Sequence, residues 1–329
     1  MRDIGKGGIV TLRVLLHNDK TAPLSRALTR AFPDADVTTC NSYEDLPVAL
    51  RQSKPDVVYT VRFAGSEGYP REALFGADGP RWVSNGGAGT DHFGVWDAER
   101  ITVTNAAGVA ADMMSEYIMG AFLHFSLDLP GLLRDQQDRI WRARTVSPLR
   151  GRVLVIAGMG QTGQALAARA KAFGMQVYGT RARPAPMENT DAVIAPEALP
   201  ELLSRADYIA VCTPLTKATH GLLGQREFDA VKRGAVLANV SRGGVVDEAA
   251  LQRALMDGRL AGAALDVFAT EPLPADHPFW RMPSVIVSPH CSSVYEGWEA
   301  ASFEMFLENL RRWVEGKPLC NVVDPGKGY

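Results

Sequence analysis

The stretch 154–163, LVIAGMGQTG, constrains the fold of this chain more than any other. The apolar run 152–157 reads as a buried strand. It ends in Gly158-x-Gly160-x-x-Gly163, and the alanine-rich stretch 165–171 that follows reads as a helix. A glycine fingerprint between a strand and a helix is the context in which this spacing binds a dinucleotide. The first glycine permits the tight turn, the second lets the backbone approach a pyrophosphate, and the third lets the helix pack against the strand. The helix N-terminus then offers unpaired N–H groups and the positive end of its dipole. Met159, Gln161 and Thr162 fill the intervening positions and belong to the same cofactor loop.

A fingerprint of this kind needs a parallel sheet around it, and the chain supplies one. Strands are expected at 152–157, 176–180, 208–212, 235–240, 263–267 and 285–288, with helices at 161–173, 197–204, 225–231 and 247–256. Six short strands joined by crossovers make a doubly wound sheet with right-handed connections. A separate α/β series precedes it, with strands at 11–16, 56–61 and 101–104 and helical stretches at 25–32 and 45–52. The stretch 110–127 is a core helix, on which Met114, Tyr117, Ile118, Ala121, Phe122 and Phe125 recur at helical spacing. A last helix spans 295–315 and is stopped by Gly316 and Pro318. This layout places the dinucleotide domain at 106–291, inserted in a discontinuous domain of 1–105 and 292–329.

The end of the second strand selects the dinucleotide. An NAD site carries an acidic residue there, about 20 residues beyond the glycines, to bind the ribose 2′-hydroxyl. This chain reads Thr180-Arg181-Ala182-Arg183 instead. A guanidinium pairs bidentately with a 2′-phosphate and leaves an unphosphorylated ribose without its acceptor. Thr180, Arg181 and Arg183 thus favour NADP over NAD.

Other classes of function are disfavoured. The chain has 329 residues, 35 Lys and Arg against 37 Asp and Glu, and a formal net charge of -2. That balance gives no electrostatic footprint for nucleic acid or an anionic membrane. The four cysteines, Cys40, Cys212, Cys291 and Cys320, form no CxxC pair and read as reduced thiols of a cytoplasmic protein. No apolar run approaches a membrane span, and Arg13 splits the only apolar stretch of the N-terminus, so no leader is expected. The histidines outside 290 have no metal-ligand spacing, and no metal is expected.

Three polar residues follow three successive strands. Arg242 comes after the strand at 235–240, Glu271 after 263–267 and His290 after 285–288. Ligands bind outside the carboxyl ends of strands in an open α/β sheet. An Arg, a carboxylate and a His converging there suit reduction of a carbonyl beside a carboxylate. Arg242 would grip the carboxylate and polarise the carbonyl. His290 would deliver a proton to the carbonyl oxygen, and Glu271 would hold the imidazole in its charged form.

The blocks GMGQTG (158–163), CTPLTKATHGLL (212–223), NVSRGGVVDEAAL (239–251), GAALDVFATEPLP (262–274) and SPHCS (288–292) resemble, in this order, those of the D-isomer-specific 2-hydroxyacid dehydrogenase family. The resemblance covers nearly the whole chain. It implies two Rossmann-like domains, a central dinucleotide domain and a discontinuous flavodoxin-like substrate domain, with the active site between them. It assigns the catalytic trio to Arg242, Glu271 and His290, and the nicotinamide carboxamide contact to Asp266. Cys212, Thr213 and Pro214 would line the adenosine side of the cofactor. Ala88 and Gly89, in the loop NGGAGTD (85–91), would offer backbone N–H groups to the substrate carboxylate.

Arg181 is similar to the pattern of NADP-using glyoxylate/hydroxypyruvate reductases, which makes NADPH-dependent reduction of a small 2-oxo acid the leading expectation. The other readings are an NAD-dependent dehydrogenase of another 2-hydroxy acid, such as 3-phosphoglycerate, and a dinucleotide-sensing, corepressor-like binding protein. The chain ends soon after its last helix, which leaves no room for the regulatory domain of many phosphoglycerate dehydrogenases. A formate dehydrogenase would carry Gln where Glu271 stands. A dimerisation arm is expected around 110–150, where the charged segment 128–147 carries large apolar anchors, Leu132, Leu133, Ile140 and Trp141. Such anchors dominate interfaces. The resemblance implies a homodimer in which Trp141 reaches the neighbouring subunit's substrate site.

Overall fold

The computed structural model describes residues 11–63 and 68–326. The first ten residues, read above for a leader, lie outside them. The described residues form two compact units, one of those up to Val109 together with those from Gly297 onward, the other Ala110–Glu296. Among them no helix is long and apolar enough to cross a membrane.

The first unit runs β1 (Arg13–His17), α1 (Thr21–Ala31), β2 (Asp36–Cys40), α2 (Leu46–Ser53), β3 (Val57–Thr60), α3 (Arg71–Phe75), β4 (Trp82–Asn85) and β5 (Thr102–Thr104), and closes with the C-terminal helix Trp298–Val314. Its sheet is parallel throughout, in the order β2-β1-β3-β4-β5. Strand residues alternate between two apolar layers. Val14, Leu16, Val57 and Tyr59 meet α1 and Phe303, Phe306, Leu307 and Leu310 of the C-terminal helix. Leu15, Val58 and Val83 meet α2 through Leu46 and Leu50 and α3 through Leu74. Each such fully buried Leu or Phe contributes about 1.5–3 kcal/mol.

Five strands stand here where the sequence pattern shows three. β2 is an edge strand that buries only Cys40, so its composition is polar. β4 is fully buried yet half polar. Thr104 Oγ1 accepts from the Trp82 indole at 3.0 Å and donates to Ser84 Oγ at 3.3 Å, which makes those polar positions tolerable in the core.

The second unit runs α4 (Ala111–Ser126), α5 (Leu129–Gln137), β6 (Val153–Ala157), α6 (Gln161–Ala172), β7 (Gln176–Thr180), β8 (Ala192–Ile194), α7 (Leu199–Leu203), β9 (Tyr208–Val211), α8 (Gln225–Ala230), β10 (Ala235–Asn239), α9 (Glu248–Met256), β11 (Leu260–Leu265) and β12 (Val285–Val287). The strand order is β12-β11-β10-β9-β6-β7-β8, all parallel. Leu154 and Ile156 face α4 and α6, while Val155 and Ala157 face α7, α8 and α9. Helices therefore cover both faces, and the order in which successive strands are added to the sheet reverses between β6 and β9. The sheet has seven strands rather than six, because the short edge strand β8 joins it. β11 begins at Leu260, three residues before the expected 263. Gly262 weakens the strand pattern there, and it is a glycine because a Cβ would overlap the Phe125 ring of α4.

Candidate active site

The glycine loop stands at the switch point of the second unit's sheet, between the ends of β6 and β9. Gly158 has φ +104, and a Cβ there would lie 2.8 Å from the Cys212 carbonyl carbon and the Thr213 nitrogen. Only glycine lets the two strand-exit loops meet, with the Cys212 N–H donating to the Ala157 carbonyl at 2.8 Å. The Met159 N–H donates to the Thr180 carbonyl at 3.0 Å, which ties the loop to the end of β7. Gly163 is buried, and a Cβ on it would overlap the Gly158 carbonyl. Gly160 differs from both. It is the N-cap of α6, no side-chain cap closes that helix, and a Cβ on it would meet nothing within 4 Å. The protein therefore leaves space in front of an uncapped helix N-terminus, and that cradle fits a pyrophosphate. The loop residues Gln161 and Thr162 open α6, and Thr162 Oγ1 rests 3.8 Å from Met114 Sδ.

At the end of β7, Thr180 is buried and Arg181 and Arg183 are exposed. The Arg181 guanidinium lies 3.9 Å from Met187 Sδ, and among the described residues neither arginine pairs with a carboxylate. Asp191, the acidic residue paired with β7, sits at the opposite end of the strand. Its carboxylate accepts from the Val177 N–H at 2.6 Å and from Lys171. Gly179 is a further requirement of the loop, since a Cβ there would overlap the Met159 side chain. The Cys212 thiol is pushed up to about 12 by burial, so it is an inert wall of this region. Thr213, partly buried, and Pro214, exposed, follow it, with the Pro214 carbonyl accepting from Thr219 Oγ1 at 2.5 Å.

Arg242, Glu271 and His290 come together past β10, β11 and β12. Asn239 shapes the first turn: its Oδ1 accepts from Ser241 Oγ at 2.8 Å and from the Ser241 N–H at 3.1 Å. The Arg242 Nη1 donates to the Ser241 carbonyl at 2.8 Å. A Cβ on Gly243 would overlap the Phe268 and Ala269 backbone, so this glycine lets the loop carrying Glu271 lie directly on the loop carrying Arg242. Glu271 Oε1 accepts from the Phe268 N–H at 2.9 Å, and Oε2 faces His290 Nδ1 at 2.9 Å. Burial alone would raise the Glu271 carboxyl. The hydrogen bonds from His290 and Phe268 and the charges of His290 and Arg242 outweigh it and hold the group below the usual carboxylate range. A carboxylate only accepts, so Nδ1 carries a proton and Nε2 is the ring atom left to act on a substrate.

His290 adopts φ +53, a conformation L-residues seldom hold. Asp266 is fully buried beneath it. Its Oδ1 accepts from Ser288 Oγ at 2.6 Å and the Cys291 N–H at 2.9 Å, and its Oδ2 accepts from the Ser292 N–H at 2.9 Å. The family resemblance singles out Asp266, and the sequence gives no sign of these partners.

Ala88 and Gly89 belong to the other unit. There the Gly87 and Gly89 carbonyls accept from Asn85 Nδ2 at 3.0 and 2.8 Å, and the Ala88 carbonyl accepts from Asn105 Nδ2 at 2.7 Å. In a trans peptide the C=O and the following N–H point in opposite directions. The N–H groups of Ala88 and Gly89 therefore turn away from these asparagines. Asn85 and Asn105, rather than loop flexibility, fix that presentation.

Trp141 is fully exposed, in the stretch beyond α5, with Leu132, Leu133 and Ile140 also exposed. Arg144 pins this stretch back, pairing with Asp128 at 2.5 Å and Asp135 at 2.8 Å on either end of α5.

Comparison with known proteins places the chain among enzymes. The model of the D-isomer specific 2-hydroxyacid dehydrogenase NAD-binding domain matches residues 119–292. A glyoxylate reductase of Korarchaeum cryptofilum is 32% identical over 256 residues, 74% of this chain and 76% of that one. A D-3-phosphoglycerate dehydrogenase of Methanocaldococcus jannaschii is 32% identical over 298 residues, 88% of this chain and 55% of that one. A solved structure of a D-isomer specific 2-hydroxyacid dehydrogenase from Xanthobacter autotrophicus Py2, in complex with NADPH and MES, is 30% identical with a TM-score of 0.83, covering 97% of this chain and 100% of that one.

Proposed function

The chain belongs to the D-isomer specific 2-hydroxyacid dehydrogenase family, and from that premise we propose that it is an NADPH-dependent reductase of small 2-oxo acids of the glyoxylate and hydroxypyruvate kind. The observation that carries the reading is the His290–Glu271 pair at 2.9 Å, in a loop that packs on the Arg242 turn. The Gly158–Gly163 cradle would hold the pyrophosphate of a reduced nicotinamide dinucleotide, which would supply the hydride. Arg242 binds the substrate carboxylate and draws electron density from the neighbouring carbonyl. His290 gives its Nε2 proton to the carbonyl oxygen, while Glu271 holds Nδ1 and balances the imidazolium charge. The N–H groups of Ala88 and Gly89 are proposed as further donors to the carboxylate.

The choice of NADPH over NADH is supported by Arg181 and Arg183, exposed at the end of β7 and without a carboxylate partner among the described residues. The Xanthobacter autotrophicus relative, solved in complex with NADPH, agrees with that choice. The exposed Leu132, Leu133, Ile140 and Trp141 support a homodimer in which Trp141 meets the partner's substrate site.

The test is the loss of NADPH absorbance on adding glyoxylate or hydroxypyruvate, ranked by kcat/KM against other 2-oxo acids and against NADH. Faster oxidation of 3-phosphoglycerate with NAD would select the phosphoglycerate reading. Dinucleotide binding with no turnover on any 2-oxo acid would select a sensing role.

A further inference from the structure

We propose that Tyr117 and Ser288 are positioning residues for His290, acting through the buried carboxylate of Asp266; this rests on the role proposed above for His290. The argument begins with hydrogen-bond direction. The Asp266 carboxylate accepts, so the Ser288 hydroxyl donates its proton to Oδ1 at 2.6 Å. The Ser288 oxygen then has only lone pairs left for Tyr117, and the contact of 2.7 Å between the two hydroxyls runs from Tyr117 to Ser288. Burial pushes the Tyr117 phenol up, which keeps it a donor across the neutral range. The result is a one-way chain, Tyr117 O–H to Ser288 O–H to Asp266, reaching from α4 to the turn beyond β12.

Asp266 grips that turn from both sides of the histidine. Its own carbonyl accepts the His290 N–H at 2.9 Å. Its carboxylate takes the Cys291 and Ser292 N–H groups after the histidine and the Ser288 hydroxyl before it. His290 sits between these anchors at φ +53. A non-glycine residue stays in that region only when its surroundings over-determine it. Ser288 is the one side-chain donor in the grip, and Tyr117 fixes the hydroxyl's orientation. Without them the turn has a route back to ordinary φ values, which would swing the imidazole away from Glu271. Nothing in the chain's pattern of strands and helices calls for a tyrosine at 117, where a phenylalanine would pack as well.

The test uses the full-length protein and three variants, Ser288→Ala, Ser288→Thr and Tyr117→Phe. The first readout needs no turnover: the 15N and 1H NMR signals of the His290 ring, which report whether Nδ1–H is held by Glu271. The second is kinetic, kcat against KM and against the dinucleotide Kd. Ser288→Ala is expected to weaken the Nδ1–H signature and to lower kcat about tenfold to a hundredfold, the scale of a displaced catalytic group. Tm should fall modestly for Ser288→Ala, because the buried Asp266 carboxylate loses a donor, while dinucleotide Kd should change little. Ser288→Thr restores the hydroxyl and should restore both readouts, and Tyr117→Phe should give a smaller loss of the same kind.

The proposal is overturned if Ser288→Ala and Tyr117→Phe leave the Nδ1–H signature intact. It is equally overturned if alanine and threonine at 288 lose activity together with Tm and dinucleotide affinity, the pattern of a purely structural site. Absence of 2-oxo acid reduction by the parent protein would refute the proposed function, while the NMR comparison still decides the positioning.

Discussion

Replacing Arg181 by alanine separates the cofactor argument from every other part of the reading. The guanidinium is exposed, has no carboxylate partner among the described residues, and lies 3.9 Å from Met187 Sδ. Its removal should therefore leave Tm unchanged, within the ~0.5 kcal/mol typical of surface substitutions. A charge-assisted bond to a 2′-phosphate is worth about 1.5–3 kcal/mol, and exposure to solvent reduces that to about 1–2 kcal/mol. At about 1.4 kcal/mol per factor of ten, kcat/KM for NADPH should fall roughly five- to thirtyfold. NADH lacks the phosphate, so its kcat/KM should stay within about twofold by the same reasoning. The assay is initial-rate loss of reduced-cofactor absorbance with each dinucleotide at saturating 2-oxo acid. Added salt should weaken NADPH in the parent more than in the variant, because an exposed pair is screened. An equal loss for NADPH and NADH, or none for either, would refute the argument from β7.

Glu271→Gln should lower turnover about a hundredfold while sparing dinucleotide binding, since it loses the charge that orients the imidazole. The same carboxyl is held below its usual value in the fold, so its stabilising effect is present above about pH 4.3 and is lost as pH falls through the folded value. In urea unfolding the parent should exceed the Gln variant by about 1 kcal/mol or less at pH 7, given partial exposure, with the gap narrowing as the pH is lowered through the folded value. Gly160→Ala should leave Tm nearly unchanged and weaken NADPH, because its Cβ meets only the space reserved for the cofactor. Gly243→Ala should cost about 1–3 kcal/mol or more and abolish turnover, because its Cβ would displace the backbone at Phe268 and Ala269. Trp141→Ala should change the ranking of 2-oxo acids more than NADPH affinity, and light scattering on the parent should give twice the chain mass. A one-chain mass would remove the dimer from the account.

The second unit was legible because its signals are local. Each central strand of its sheet is an apolar run between turn residues, and the glycines announce the βα turn in ten consecutive residues. Where the signal is not local, the pattern falls short. β2 pairs only with β1 and buries one of its five residues, so nothing apolar marks it. β4 ends in Ser84 and Asn85, which are acceptable in the core only because of partners tens of residues distant or on the next loop. β8 is three residues long and half-buried, too short to carry a period.

The candidate site divides in the same way. Arg242, Glu271 and His290 are visible as polar residues just past strand ends, and the structure brings them together. What holds them is invisible in one dimension. Gly243 reads as one glycine in a turn, yet its missing Cβ sets the distance between two loops. Asn85 and Asn105 read as loop residues, yet they aim the carbonyls of Gly87, Ala88 and Gly89 and so, through peptide planarity, the N–H groups opposite. His290 at φ +53 is the clearest case. The conformation costs about 1–2 kcal/mol for a residue with a Cβ, and a glycine would carry no such cost. Histidine stands there because the turn serves the imidazole, and the cost is offset from outside by Asp266, 24 positions earlier, and by Ser288, whose hydroxyl is set by Tyr117 on α4. The residue proposed to do chemistry is thus readable from its type and place, while the residues that keep it in place become readable only once the sheet has folded.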